Sequence, residues 1–287
     1  MMKDMKKYIQ TNMDHFQELS LSTNKVLQFS YKGKAYILKK QMLPDDRLSP
    51  FWQMMKDVFD SGFQKQRAFM KSICQVLEEN PHIQVANFVL ADEEEGIQVF
   101  ERMPGYSWEP DVFPNGAGIA CQLGRFIGFN HSRCYDGYEL PGMGNSNLKE
   151  KIIRHMKDTI ALHWNGDDAL DVSVRSCYKR MKSMDVACND LSLIMADISA
   201  NQFLFHDEEI SACVDLDAYV IGPKAWELAL IQNCVTDMES FKRGYEQYQK
   251  FPDTKKTSGF YMFLMALNDV GGKEEMHSFL KKDGLLS

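Results

Sequence analysis

From Val26 to Lys40 the chain reads VLQFSYKGKAYILKK, with β-branched and aromatic residues (Val26, Tyr31, Tyr36, Ile37) on both sides of Gly33-Lys34. This pattern predicts two strands reversed at that Gly-Lys pair. The preceding residues 1–19 are polar and mixed in charge and predict a helical lead-in. Pro44-Asp45-Asp46 then interrupts any regular element. Residues 49–79, rich in Phe, Met, Gln and Lys, predict one long helix or two helices separated near Ser61-Gly62. Two further strands are expected in HIQVANFVLA and GIQVFERM, separated by the acidic turn Asp92 to Gly96. Pro104-Gly105 closes this mixed region, so a boundary is expected here between an N-terminal lobe, residues 1–103, and a C-terminal lobe, residues 104–287.

The second part is mostly helical in pattern. Gly118 to His131 carries apolar residues at helical spacing, Tyr135 to Asn147 is a Gly/Pro-rich loop, and residues 148–163 and 169–186 predict amphipathic helices. The short apolar runs LSLIMAD, QFLF and ISACVDLD interrupt the helices, the last two meeting at a turn from His206 to Glu209. From Lys224 the pattern is helical to the end. No internal repeat or low-complexity tract is present. The expected class is therefore α+β: a small antiparallel β lobe with a helix, joined to a larger helical lobe that carries a β-hairpin.

Composition narrows the function classes. A length of 287 residues with 44% hydrophobic and 25% charged residues suits a folded chain with one large domain or two lobes around a cleft. The net charge of -7 comes without a dense basic stripe, so nucleic acid is not an expected partner. The acidic excess fits solubility as well as it fits a cationic substrate. Seven cysteines in scattered positions, with no C-x-x-C, indicate reduced thiols and a cytoplasmic protein rather than a disulfide framework or a zinc site. The polar N-terminus lacks the apolar stretch of a signal peptide. The conspicuous apolar run, Phe260 to Leu267, is far shorter than the ~20 residues of a membrane span, so no membrane association is expected. That run is expected to pack under the C-terminal lobe or against a partner. The oligomeric state cannot be read.

The chemistry concentrates in residues 193–231, LIMADISANQFLFHDEEISACVDLDAYVIGPKAWELALI. Asp197 follows an apolar run, a polar loop with the amide pair Asn201-Gln202 comes next, and a tight hairpin returns the chain to a second aspartate, Asp215. Phosphoryl transfer needs one carboxylate to orient the nucleophile's proton and a second, helped by an amide oxygen, to hold magnesium against nucleotide phosphates. A hairpin keeps the two groups on rigid neighbouring strands.

This block resembles the aminoglycoside phosphotransferase and choline kinase superfamily, relatives of the protein kinases, whose pattern is His-Gly-Asp, an Asn five residues on, a hairpin and an Ile-Asp segment. AYVIGPKAWELALI resembles the Gly-Pro step and acidic-Leu-Ala helix that follow, YILKK the third strand with its phosphate lysine, FERMPGYSW the hinge strand, and LGRFIGFNHS the first long helix of the C-terminal lobe. Four blocks in order span about 200 residues. The resemblance implies a bilobal kinase-like fold that uses ATP and Mg2+ to phosphorylate a hydroxyl of a small molecule. It implies Asp197 as the catalytic carboxylate, Lys39 on phosphate oxygens, adenine against the backbone near Glu101 to Met103, and Asp215 with Gln202 on the metal. Lys40 is the alternative to Lys39, and Asn201 to Gln202.

The chain departs from the pattern at three places. Met195 stands where the family has its His. Gln202 stands in place of the metal-binding Asn, and Gln66 where the lysine's Glu partner belongs, with Asp57 and Asp60 as alternatives. These departures raise a second expectation, a kinase-like nucleotide-binding protein with weak or no catalytic activity. Other residues keep two readings. Asp217 touches a second magnesium or a substrate hydroxyl, or lies on the surface. Glu227 caps or salt-bridges its helix, and His131 is a helix cap or a core residue. The acceptor is not readable, because family acceptor residues lie on variable loops.

Overall fold

A computed structural model describes residues 2–21, 24–42, 49–268 and 273–282 of the chain. Its first helix, α1 (Met2–Asn12), is followed by a 3-10 turn (Met13–His15) and three strands, β1 (Gln17–Leu21), β2 (Asn24–Tyr31) and β3 (Lys34–Gln41). Lys32 and Gly33 both take positive φ, 51° and 80°. Such a turn matches the twist of the strands it joins, so Tyr31 pairs with Lys34 and the hairpin zips back to Asn24 and Gln41. The expected all-helical lead-in is corrected here. QELSL forms a polar edge strand on β2, bulged between Glu18 and Ser20, and an edge strand with few apolar residues leaves little period-2 signal.

Residues 49–79 resolve into two helices, α2 (Pro50–Phe59) and α3 (Phe63–Glu78). Asp60 ends the first in the left-handed region at φ 53°, and Gly62 precedes the second. Strands β4 (Gln84–Val85), β5 (Phe88–Asp92) and β6 (Ile97–Glu101) follow, and the sheet order is β1-β2-β3-β6-β5. One face of this sheet packs on α1: Met5 and Ile9 join Leu27, Phe29, Tyr36, Leu38, Leu90, Ile97 and Val99 in one core. Because successive strand residues face opposite ways, Lys39 and Gln98 point to the other face, where both are buried.

Next come β7 (Tyr106–Ser107), α4 (Ala117–Ser132), α5 (Leu148–His163), α6 (Ala169–Ser183), β8 (Leu191–Met195), β9 (Phe203–His206), β10 (Glu209–Cys213), β11 (Tyr219–Pro223), α7 (Lys224–Cys234), α8 (Met238–Tyr245), α9 (Ser258–Asn268) and α10 (Lys273–Lys282). The hairpin β9–β10 reverses at Asp207 and Glu208, both at positive φ. Strand β11, not foreseen as a strand, pairs antiparallel with β8 from Tyr219–Met195 to Pro223–Leu191. Gly105, at φ 126°, lets the chain pass the hairpin where a Cβ would sit 2.5 Å from Ser211 Oγ.

A single cut between residues 103 and 104 does not describe the packing. Helix α2 buries Trp52, Met54, Met55, Val58 and Phe59 in the core shared by α5, α6, α7 and α9. A helix that precedes half of the N-terminal strands is thus built into the C-terminal helical unit. The apolar run Phe260 to Leu267 lies in α9, and most of its side chains are buried in that same core. Among the described residues no helix is long and apolar enough to cross a membrane.

Helices α4 and α8 cross at glycines. A Cβ on Gly124 would stand 2.1 Å from the Phe241 carbonyl oxygen, and one on Gly244 would stand 2.1 Å from that of Cys121. Neither obstacle is a flexible side chain, so the helices must separate to admit a methyl group. Gly124→Ala is therefore expected to destabilise the fold by about 2 kcal/mol, although alanine favours the isolated helix. Urea denaturation checks this, and a variant as stable as its parent would show that the crossing tolerates the added carbon.

Candidate active site

Lys39 reaches the second face of the β-sheet because β3 alternates, whereas Lys40 turns the other way, its Nζ 3.8 Å from Met13 Sδ. Lys39 Nζ donates to Asp215 Oδ1 at 2.6 Å and to Asp217 Oδ2 at 3.0 Å. Asp217 also accepts a bond from Asn24 Nδ2 at 3.4 Å. The lysine and Asp217 side chains are 9% and 8% exposed, while that of Asp215 is 49% exposed. One cation therefore lies against two carboxylates from the loop after β10, and Asp215 is the one that meets solvent.

The charges set the ionisation. Burial pulls the Lys39 ammonium down, but Asp215 and Asp217 outweigh this and hold it above its ordinary value. Partial desolvation pushes Asp215 up, and the adjoining ammonium outweighs it and keeps the carboxyl below the usual carboxylate range. Asp217 is held above that range by burial and by the neighbouring Asp215 charge, despite Lys39.

Asp217 thus is not a surface residue. It gives the lysine a buried acidic partner from the loop after β10 rather than from α2 or α3. Asp57 is occupied elsewhere, accepting from Gln53 Nε2 at 2.8 Å and lying 3.1 Å from His155 Nδ1. Asp60 is the C-cap of α2. The side chain of Gln66 lies outside the described residues.

Asp197 stands in the turn after β8, not on a strand. Its Oδ1 is buried and has no hydrogen-bond partner among the described residues. Burial first, and then the Asp215 charge, push its carboxyl up to about 7. An ordinary aspartate is fully ionised at neutral pH; this one is poised to take up or give away a proton there.

Gln202 braces the loop that follows. Its Nε2 donates to the Asp197 carbonyl at 3.0 Å and its Oε1 accepts the Ser199 N–H at 2.9 Å. Its own carbonyl accepts from Val214 N at 3.0 Å and Asp215 N at 3.4 Å, so one residue ties the two aspartate loops together. Oε1 keeps a second lone pair. Asn201 turns away, its Nδ2 donating to Asp111 Oδ1 at 2.8 Å.

Met195 is fully buried, and its N–H donates to Glu227 Oε1 at 2.7 Å. Glu227 is neither a surface cap nor paired within its helix: it is buried in α7 with Oε2 2.8 Å from His131 Nε2. His131 is a core residue whose Nδ1 lies 3.0 Å from the Tyr245 hydroxyl. At the expected hinge, Glu101 pairs with Lys34 at 3.0 Å and accepts from Asn87 Nδ2 at 3.2 Å, so its side chain points along the sheet. The Arg102 N–H donates to the Ala35 carbonyl. Met103 is half-buried and packs against the main core, and its backbone makes no backbone hydrogen bond among the described residues.

Two features had no expectation attached. A cavity of about 700 Å³ opens beside Asp197, walled by α2, α7, α9, α10 and the loop around Asp111. Asp111 itself is stapled to the loop that follows Asp197, since its carbonyl accepts the Ala200 N–H at 2.9 Å while its side chain accepts from Asn201. Nothing in the local sequence pairs residue 111 with residues 200–201.

Among the described residues no three His, Cys, Asp or Glu side chains converge into a metal cage. Magnesium bound with nucleotide phosphates asks for less, one or two protein oxygens plus phosphate and water. The half-exposed Asp215 carboxylate is a protein oxygen of that kind, and the Gln202 amide oxygen, which accepts the Ser199 N–H, keeps a second lone pair.

No family model and no curated protein matches the chain. Solved structures do. An aminoglycoside phosphotransferase described as putative, from Ralstonia eutropha, superposes with a TM-score of 0.64 at 14% identity, covering 99% of this chain and 90% of its own. A thermostable mutant of another aminoglycoside phosphotransferase, in ternary complex with ADP and hygromycin B, gives 0.60 at 14% identity, with 96% and 97% covered. A choline kinase from Streptococcus pneumoniae gives 0.53 at 15% identity, with 99% and 93% covered. The chain has the bilobal kinase-like α+β fold of these small-molecule phosphotransferases.

Proposed function

We propose that the protein transfers the γ-phosphoryl group of ATP, bound with magnesium, to a hydroxyl of a small molecule. One observation carries the reading. Lys39 Nζ meets Asp215 Oδ1 at 2.6 Å, while Asp197 lines a separate cavity of about 700 Å³. Nucleotide phosphate chemistry and acceptor chemistry thus have separate places joined by Gln202. The ADP held by a neighbour of the same fold supports the nucleotide half. The seven free cysteines suit work in the reducing cytoplasm.

In this reading Lys39 binds phosphate oxygens, and adenine lies against the Glu101–Met103 backbone. Asp215 and Gln202 hold magnesium, which when bound neutralises charge developing on the phosphates. Asp217 keeps Lys39 extended into the cleft in the absence of nucleotide. Asp197 accepts the acceptor's proton as its oxygen bonds to the γ-phosphorus, and the bridging bond to ADP breaks with its electron pair leaving on ADP. No covalent enzyme intermediate is needed, so positioning and electrostatics supply the rate.

A second reading, nucleotide binding with little turnover, is favoured by two details. The Gln202 oxygen is already bonded to Ser199, and Lys39 is gripped by two carboxylates. Calorimetry with ATP and magnesium is expected to give a millimolar or tighter Kd. No binding with either magnesium or manganese would refute both readings, and binding without turnover against any acceptor would leave only the second.

A further inference from the structure

On the phosphotransfer reading, on which this inference rests, magnesium and Lys39 both need Asp215. The ammonium donates to Asp215 Oδ1 at 2.6 Å and to Asp217 Oδ2 at 3.0 Å. The two carboxylates differ in what can reach them, since the Asp215 side chain is 49% exposed and that of Asp217 8%. Magnesium keeps several waters and arrives with nucleotide phosphates, so it has access to the first carboxylate and not to the second. Asp217 Oδ2 is moreover already taken by two donors from the N-terminal strands, Lys39 on β3 and, at 3.4 Å, Asn24 Nδ2 on β2.

A metal on Asp215 changes the situation of the lysine. Two cations then face one carboxylate, and like charges so close together repel. Lys39 has little water to move into, because its side chain is 9% exposed and its Nζ lies 5.9 Å from the centre of the buried Phe100 ring. A buried ammonium left without a counter-charge is strongly disfavoured. Asp217 removes the conflict, being the second carboxylate that touches Lys39 among the described residues. An ammonium has three donors. The one that Asp215 gives up becomes available to a phosphate oxygen, while the bond to Asp217 stays.

We propose that magnesium displaces Lys39 from Asp215 and that Asp217 retains it. Asp217 is then a positioning residue that binds no metal and keeps the ammonium where the phosphate oxygens arrive. Asp215 is the lysine's temporary partner and Asp217 its permanent one. This assignment replaces the expectation that Asp217 touches a second magnesium. It also gives the double grip on Lys39 a use, since two carboxylates are needed if one is to be surrendered to the metal. Without Asp217, lysine and metal compete for Asp215, and more magnesium is required to fill the site.

Calorimetry on the full chain, with ADP as the probe at a series of magnesium concentrations, tests this. Asp217→Asn keeps side-chain size and leaves Lys39 on Asp215, so it is expected to fold, which a thermal melt checks; Asp217→Ser takes its place if it does not. The substitution is expected to raise the magnesium concentration that gives half-maximal ADP binding at least about fivefold. In a Lys39→Met background, where no ammonium competes for Asp215, it is expected to shift that concentration less than about twofold. The number of manganese ions bound per ADP, counted by electron paramagnetic resonance, is expected to be the same in the parent and in Asp217→Asn. An unchanged magnesium requirement would overturn the hand-over. So would a lower manganese count, which would make Asp217 a metal ligand, or an equal shift in the Lys39→Met background, which would make its role structural. If the Lys39→Met chains do not fold, the magnesium requirement and the manganese count decide alone. When the parent binds ADP with magnesium and Asp217→Asn needs no more metal, only the hand-over falls; when the parent binds no ADP with magnesium, the phosphotransfer reading falls and takes the hand-over with it.

Discussion

Asp197→Asn is expected to lower turnover by a factor of about 10²–10⁴, the usual contribution of a positioned general base, while leaving nucleotide affinity nearly unchanged. Asp215→Asn is expected to weaken both. The contrast follows from what each carboxylate touches. Asp197 lines the cavity proposed for the acceptor, so on that proposal its loss removes an interaction made in the transition state and appears in kcat. Asp215 accepts from Lys39 and is the carboxylate proposed to hold magnesium, so its loss is expected to weaken metal binding and leaves the lysine to Asp217 alone. Both substitutions keep side-chain size, so folding should change little. The pH dependence carries the same signature. Burial and the Asp215 charge push the Asp197 carboxyl up to about 7, and the base form exists above that value. kcat/KM of the parent should therefore fall as pH drops through about 7, well above the range of an ordinary aspartate, and the residual activity of Asp197→Asn should lack that limb. Nucleotide binding lost in Asp197→Asn but kept in Asp215→Asn would mean that the two roles are exchanged.

Local pattern made part of this site legible. Alternation through Tyr36, Leu38 and Lys40 against Ile37 and Lys39 decides which lysine reaches Asp215 and Asp217, and the structure follows that alternation because a strand has no other option. The spacing from Asp197 through the amide pair and a hairpin to Asp215 is likewise a local signal. What escaped is non-local. Asp217 lies two residues beyond Asp215, but its burial depends on Lys39 and Asn24 arriving from the other lobe. Asp111 meets Asn201 across ninety positions. The amphipathic pattern of α2 shows that it is a helix and not which core takes its apolar face. Gln202 is instructive in a different way. Ser199-x-x-Gln202 is a capping-box pattern, and the structure forms that box, so the bracing role of Gln202 was present in the sequence beside the metal-binding expectation. Whether magnesium also uses the second lone pair of the amide is tested by Gln202→Glu. A ligand role predicts altered metal dependence, whereas a purely bracing role predicts altered stability.

Glu227 illustrates the same limit and carries the largest expected effect on stability. In sequence it stands in the first turn of α7, where an acidic residue ordinarily complements the helix dipole in solvent. In the structure it is 1% exposed and joins four elements. Oε1 accepts the Met195 N–H at the end of β8 at 2.7 Å, and Oε2 lies 2.8 Å from His131 Nε2 on α4, close without the alignment of a hydrogen bond. His131 in turn meets Tyr245 on α8, whose hydroxyl also accepts from Gln249 Nε2 at 2.8 Å. Removing the carboxylate by Glu227→Ala orphans a buried backbone N–H and strips the imidazole of its partner, at a cost of about 3 kcal/mol or more. For a chain of this size a loss of about 3 kcal/mol corresponds to a fall in Tm of roughly 5 °C. Glu227→Gln keeps an oxygen for Met195 and should recover part of the loss. Because Met195 leads directly into the turn that presents Asp197, Glu227→Gln should also lower kcat more than it weakens nucleotide binding. A Glu227→Ala variant that melts with its parent would show that the strand end is held by its pairing with β11 and the aromatic core around it, with Glu227 contributing little.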